Sequence, residues 1–229
     1  MMGWLRVCFI LFNKELRLEL RGRELITLLV CQGFLLAALI GAGVSSAILD
    51  APTTTKIFPM LLWLVFLFSA TGSMVRSNEY ELEGRGFEGL LLAGVSGAQM
   101  YVAKVAVASV LFFFNYLLLL ALVSVALDQD ISGILPGLAG VGLLSSGCLG
   151  ALLVVLSAIS STARLKGVLL PLISLPLLFP LYFIGVEMTT ELVVRGALDL
   201  AGIWPTLLVC ATATYFLIGI NLFEEACRE

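Results

Sequence analysis

Charge-free apolar runs alternate with shorter polar stretches from Leu25 onward, and the alternation recurs six times. A hydrocarbon core of about 30 Å is crossed by about 20 residues at about 1.5 Å rise each. The runs at 25–49, 57–75, 105–127, 134–159, 167–186 and 203–223 meet that length and contain no Asp, Glu, Lys or Arg. Lipid offers the backbone no hydrogen-bonding partner, so each run predicts a membrane-spanning helix. The pattern before the first run is different. WLRVCFILFNKELRLELRGRE, wound as a helix from Trp4, puts Arg6, Lys14, Arg17 and Arg21 on one side and Trp4, Val7, Cys8 and Leu11 on another. Residues 1–24 therefore predict an amphipathic helix in the headgroup region, anchored by Trp4 and drawn to anionic lipid, with docking on a protein as the alternative.

Between the second and third runs lies SNEYELEGRGFEGLLLAGVSGAQMYVAKV. Its apolar part is too short to cross a bilayer: residues 87–92 extend only about 9 Å as a helix. Phe87, Leu90, Leu91 and Gly94 follow the i, i+3, i+4, i+7 spacing of one helical face. Such a ridge can lie against lipid or fill a groove on another protein. The carboxylates Glu79, Glu81, Glu83 and Glu88 beside an anionic leaflet favour the protein.

Composition sharpens the class. Of 229 residues, 60% are hydrophobic and 13% charged, and mean hydropathy is +1.09, against about 45–50% apolar and about 25% charged in soluble domains. The chain reads as one all-α integral membrane domain over 1–229. Of its thirteen Lys and Arg, all but Lys56 and Arg195 fall on one side of this topology, which predicts cytoplasmic termini. Net charge is −3 and histidine is absent, so a basic nucleic-acid footprint and an imidazole metal site are both excluded. The five cysteines form no C-x-x-C pair and read as small apolar residues. No phosphate-binding G-x-x-x-x-G-K-[ST] loop occurs.

Proton- and ion-coupled pumps commonly place ionisable groups at membrane depth, and their absence from the six runs points to energy supplied from outside the chain. Gln32, Asn115 and Asn221 are polar residues within the spans, read as interhelical hydrogen bonds or, alternatively, substrate contacts. Pro171, Pro176 and Pro180 each remove an amide donor from the fifth span. They predict a bent or partly unwound helix and, with Asn115, are the candidate hinge and cavity residues. Gly133 and Gly137 stand at G-x-x-x-G spacing, followed by Gly140, Gly142, Gly147 and Gly150, which predicts close helix packing. EMTTELVVRGALDL, 187–200, predicts a short interfacial or re-entrant helix before the sixth span. Asp50, Asp128, Asp130, Glu187, Glu191 and Asp199 give its side of the membrane a solvated acidic rim.

Two stretches carry a family resemblance. EYELEGRGFEGLLLAGVSGAQMYVAKV, followed by an aromatic-rich third span, is similar to the first cytoplasmic loop of CcmB-type permeases. GALLVVLSAISSTARLKGVLLPLISLPLLFPLYFIGVE resembles that family's fourth-to-fifth span region, and ELRLELRGRELI before the first span agrees. The resemblance covers nearly the whole chain. It implies six transmembrane helices of the ABC-2 permease type, with a cytoplasmic coupling helix inside the 77–104 loop. Leu90 and Leu91 would be its apolar anchors on an ATPase, Glu83 and Glu88 its carboxylates, and Phe87, Gly89, Gly94 and Val95 the rest of that interface. Arg85 and Gly86 stand where acidic and small residues are expected, and Gly94 where family members often have proline.

The resemblance further implies a CcmA-like subunit that binds ATP and Mg, a second copy of this chain, a CcmC-like haem-handling membrane protein and a periplasmic haem chaperone, all at the bacterial inner membrane. The chain itself would be no enzyme and bind no cofactor, with haem as a possible substrate. Without histidine, axial ligands to haem would come from weaker candidates such as Met60, Met74, Met100, Met188, Tyr or Cys. The alternatives are an ABC-2 exporter for a lipid, glycan or drug, or a non-transporting structural subunit.

Overall fold

The computed structural model describes residues 2–46, 51–81, 94–162, 166–199 and 201–226. These form seven helices: α1 Met2–Gly22, α2 Glu24–Ser46, α3 Ala51–Glu81, α4 Gly97–Ala126, α5 Leu135–Thr162, α6 Lys166–Arg195 and α7 Ile203–Ala226. Six are long and apolar enough to cross a membrane, over Leu25–Val44, Thr53–Met74, Gly97–Ala126, Leu135–Ser157, Ile173–Arg195 and Ile203–Phe223. No strand occurs among the described residues.

The spans number as the apolar runs predict, but their ends move. The third run begins at Val105 because Lys104 interrupts the charge-free stretch. The helix continues through the half-buried Lys104 and starts at Gly97, where Ser96 caps it. The sequence predicts a fifth span that is bent or partly unwound, followed by a short interfacial or re-entrant helix over 187–200. α6 is helical without interruption from Lys166 to Arg195, so 187–195 are its last turns rather than a separate helix. Each proline removes one backbone bond, at the carbonyls of residues 167, 172 and 176; the Tyr215 hydroxyl of α7 donates to the adjacent Leu177 carbonyl at 3.0 Å and ties the two helices there. Gly196, at φ +71°, then ends α6 with its N–H on the Leu192 carbonyl at 2.9 Å.

α4 lies at the centre, packed against α1, α2, α3, α5 and α7. α5 is the most enclosed span and α7 the least: 72% of an 18-residue apolar stretch is buried in the first, against 17% in the second. Small residues set the closest approaches, but not as the glycine spacing predicts. Gly133 precedes α5, and an added methyl at Gly133, Gly140 or Gly147 would meet open space. The crowded positions are Gly137 against Leu192, Gly142 against the Tyr116 ring and Gly150 against Ser109 and the Val105 carbonyl.

Arg23, at φ +58°, turns the chain from α1 into α2 and donates its N–H to the Glu19 carbonyl at 2.9 Å. α1 is not among the candidate spans. It packs along α4 and, less extensively, α2. Cys8 and Leu11 are buried. The side assigned by sequence to the membrane thus carries residues that the bundle covers.

Candidate functional site

Of the expected coupling interface, Glu83, Phe87, Glu88, Gly89, Leu90 and Leu91 lie outside the described residues, and Gly94 and Val95 lie within. The chain enters α4 through Gly94, at φ +80°, and the half-buried Val95. Ser96 and Gln99 then form a reciprocal cap: Gln99 N–H donates to Ser96 Oγ at 3.3 Å, and Ser96 N–H donates to Gln99 Oε1 at 3.0 Å. Two residues on, the fully buried Tyr101 donates its hydroxyl to the Ala151 carbonyl of α5 at 2.9 Å and approaches the Tyr215 carbonyl of α7 at 3.5 Å. Phe216 and Phe223 of α7 pack on its ring at 5.7 and 5.6 Å, and Gly219 leaves room for the hydroxyl. Tyr101 thus ties this end of α4 to both α5 and α7.

Two buried clusters tie the other helices. Trp63 of α3 donates its indole N–H to Thr189 of α6 at 2.9 Å. Its ring lies 5.7 Å from Phe66 and 5.8 Å from Tyr116 of α4, and Gly185 opens α6 to it. Asn115 of α4 donates to Ser69 of α3 at 3.3 Å, and Ser69 donates to the Leu29 carbonyl of α2 at 3.2 Å. Asn115, a cavity candidate by sequence, is buried inside this chain of bonds and lines none of the clefts described below. Gln32 reaches the Phe68 carbonyl at 3.5 Å, whereas Asn221 bonds back to its own helix at Leu217. The interhelical role thus fits Gln32 and Asn115 but not Asn221.

A lateral cleft of about 450 Å³ opens between α2, α3 and α6, with Leu64, Phe68, Leu175, Leu178 and Phe179 as its apolar walls and Gln32, Thr71, Ser174 and Tyr182 as its polar groups. Pro176 and Pro180 are exposed on α6, and the side chain of Pro171 lies outside the described residues. At the end of α6, a cleft of about 360 Å³ is lined by Glu187, Glu191, Arg195, Asp199 and Trp204. Here Arg195 pairs with Glu191 at 2.6 Å. Among the methionines considered as haem ligands, Met74, Met100 and Met188 are buried, and Met60 is 51% exposed on α3.

On α1, Trp4, Arg6, Lys14, Arg17 and Arg21 are all exposed. Sequence reasoning did not find Tyr101, Trp63 or Thr189. Only the first carried a local signal, the S-x-x-Q cap just before it.

Among curated proteins, none matches the chain. The model of the CcmB protein family matches residues 6–225, nearly the whole length. Six apolar helices and that match agree: the chain belongs to the CcmB family, the membrane components of haem-export ABC transporters.

Proposed function

We propose that this chain is the permease subunit of an ABC complex that handles haem for cytochrome c maturation, and that it converts ATP hydrolysis in a separate CcmA-like subunit into movement of its own helices. In this reading the segment 83–95 docks in a cleft of that ATPase, with Leu90 and Leu91 as anchors on a short coupling helix, Phe87 and Gly89 beside them, and Glu83 and Glu88 facing basic groups. Gly94 and Val95 form the turn that leads from it into α4 rather than part of the helix. ATP and Mg belong to the partner. The chain lies in the bacterial inner membrane with both termini cytoplasmic, works beside a second copy of itself, and meets a CcmC-like protein and a periplasmic haem chaperone. Haem is cargo of the assembly rather than a tightly held group of this chain.

The observation that carries the reading is the braced start of α4, whose cap and Tyr101 bonds follow directly on the docking segment. A helix docked in a partner moves with it as a body, and Tyr101 makes α5 and α7 follow. Leu90→Glu or Leu91→Glu should abolish co-purification of the ATPase while the chain still inserts in the membrane. Undiminished co-purification would overturn the proposal. Soret absorbance of the chain purified alone tests the cargo reading, since stoichiometric haem contradicts it.

A further inference from the structure

α1 presents three stripes rather than two. At about 100° per residue, Cys8, Leu11 and Glu15 share the side that meets the bundle. Leu5, Phe9 and Leu20 lie about a third of a turn away, and they are 61%, 66% and 52% exposed, while Leu18, between the bundle-facing side and the arginines, is 53% exposed. Arg6, Arg17 and Arg21 lie about a further right angle round, all exposed, with Ile10 among them. Arg6 and Arg17 are three turns apart, about 16 Å along the axis. None of the three arginines makes a hydrogen bond or ion pair with the described residues, whereas Lys14 is held by Glu15 at 3.3 Å.

The charges are segregated by side. Glu15 and Glu19 line a small cleft with Lys104 of α4 and Leu25 of α2, so the carboxylates face protein and the arginines face away from it. The outward surface of α1 is consequently an uncovered apolar stripe beside a cationic one. If the apolar stripe dips towards the acyl chains, the bundle-facing stripe and the arginine stripe lie on opposite flanks of the helix, level with the headgroups. This is the arrangement in which arginine stems run along apolar surface and guanidinium groups meet phosphates.

We infer that α1 binds anionic phospholipid, with Arg6, Arg17 and Arg21 on the headgroup phosphates and Leu5, Phe9 and Leu20 among the acyl chains. The commitment to lipid rather than protein rests on that charge complementarity and on the apolar stripe directly beside it, on a helix that is packed along the membrane-spanning α4. It goes beyond the coupling reading and holds whether or not residues 83–95 dock on an ATPase.

The test uses the full chain, purified without partners in a neutral detergent and titrated separately with phosphatidylglycerol and phosphatidylcholine, with retained lipids counted by native mass spectrometry. One arginine at an anionic surface is worth about fivefold in binding. The wild type should therefore retain phosphatidylglycerol severalfold better than phosphatidylcholine. The triple substitution Arg6→Gln, Arg17→Gln, Arg21→Gln should lose most of that preference, and the corresponding Lys substitutions should keep it. Equal retention of the two lipids by the wild type, or an unchanged preference in the Gln variant, overturns the inference. So does crosslinking from an Arg17→Cys chain in native membranes that runs to another protein and not to lipid. Because no ATPase is present in the lipid titration, its outcome is independent of whether the coupling proposal stands.

Discussion

Trp63 and Thr189, on α3 and α6, are joined by a buried hydrogen bond of 2.9 Å between side chains 126 positions apart. In lipid an unmet indole N–H has no water to turn to, and interhelical bonds of this kind contribute about 0.6 to 1.7 kcal/mol. Thr189→Val should lower stability by about 1 kcal/mol, read as a fall in melting temperature by tryptophan fluorescence in detergent. Thr189→Ser, which keeps the acceptor, should lie nearer the wild type.

The glycines of α5 separate packing from sequence spacing. A methyl at Gly142 would run into the Tyr116 ring, and one at Gly140 would meet nothing within 4 Å. Overpacking of a filled site costs about 1–3 kcal/mol. Gly142→Ala should therefore destabilise the bundle, while Gly140→Ala leaves its melting temperature unchanged or slightly raised. Equal effects would contradict the packing described.

Tyr101→Phe removes the bonds to Ala151 and Tyr215 and keeps the ring between Phe216 and Phe223. On the proposed coupling, the ATPase subunit should still co-purify and hydrolyse ATP, while accumulation of mature cytochrome c falls severalfold. Wild-type cytochrome output from this variant would show that Tyr101 is no part of the transmission.

Asp130, in the exposed loop between α4 and α5, accepts the Ser132 N–H at 3.0 Å. That backbone bond, together with one from the Ser132 side chain, holds its carboxyl below the usual range. A lowered folded pKa means that the turn's stabilisation is complete above the ordinary carboxylate value of about 4 and is lost as pH falls through the folded value. Amide exchange at Ser132, corrected for the intrinsic rate, should show less protection as the medium is acidified through that window. Asp130→Asn should remove the pH dependence.

The spans were legible because length and apolarity alone decide whether a segment crosses lipid. Their ends were less so: Lys104 truncated the third apolar run, although the Ser96–Gln99 cap already marked an earlier start. On α1 the periodicity set Arg6, Lys14, Arg17 and Arg21 against a side holding Cys8 and Leu11, but it could not say what covers that side. Only the packing of α1 along α4 decides that Cys8 and Leu11 serve the bundle while Leu5 and Phe9 remain uncovered. The prolines of α6 predicted a bent or partly unwound helix; the helix is unbroken, so the unwinding does not occur, each proline forfeiting one backbone bond that the flanking turns outlast. Pairings such as Trp63 with Thr189 leave no local trace in the sequence.

Gly94 limits how freely this loop can be exchanged among relatives. Its backbone torsion of +80° is one that a pyrrolidine ring, fixed near −65°, cannot adopt. A relative with proline at this position must therefore lead into its third span along another trajectory. On the proposed coupling, loops exchanged between such relatives would reach an ATPase at a different angle even where every docking side chain had been preserved.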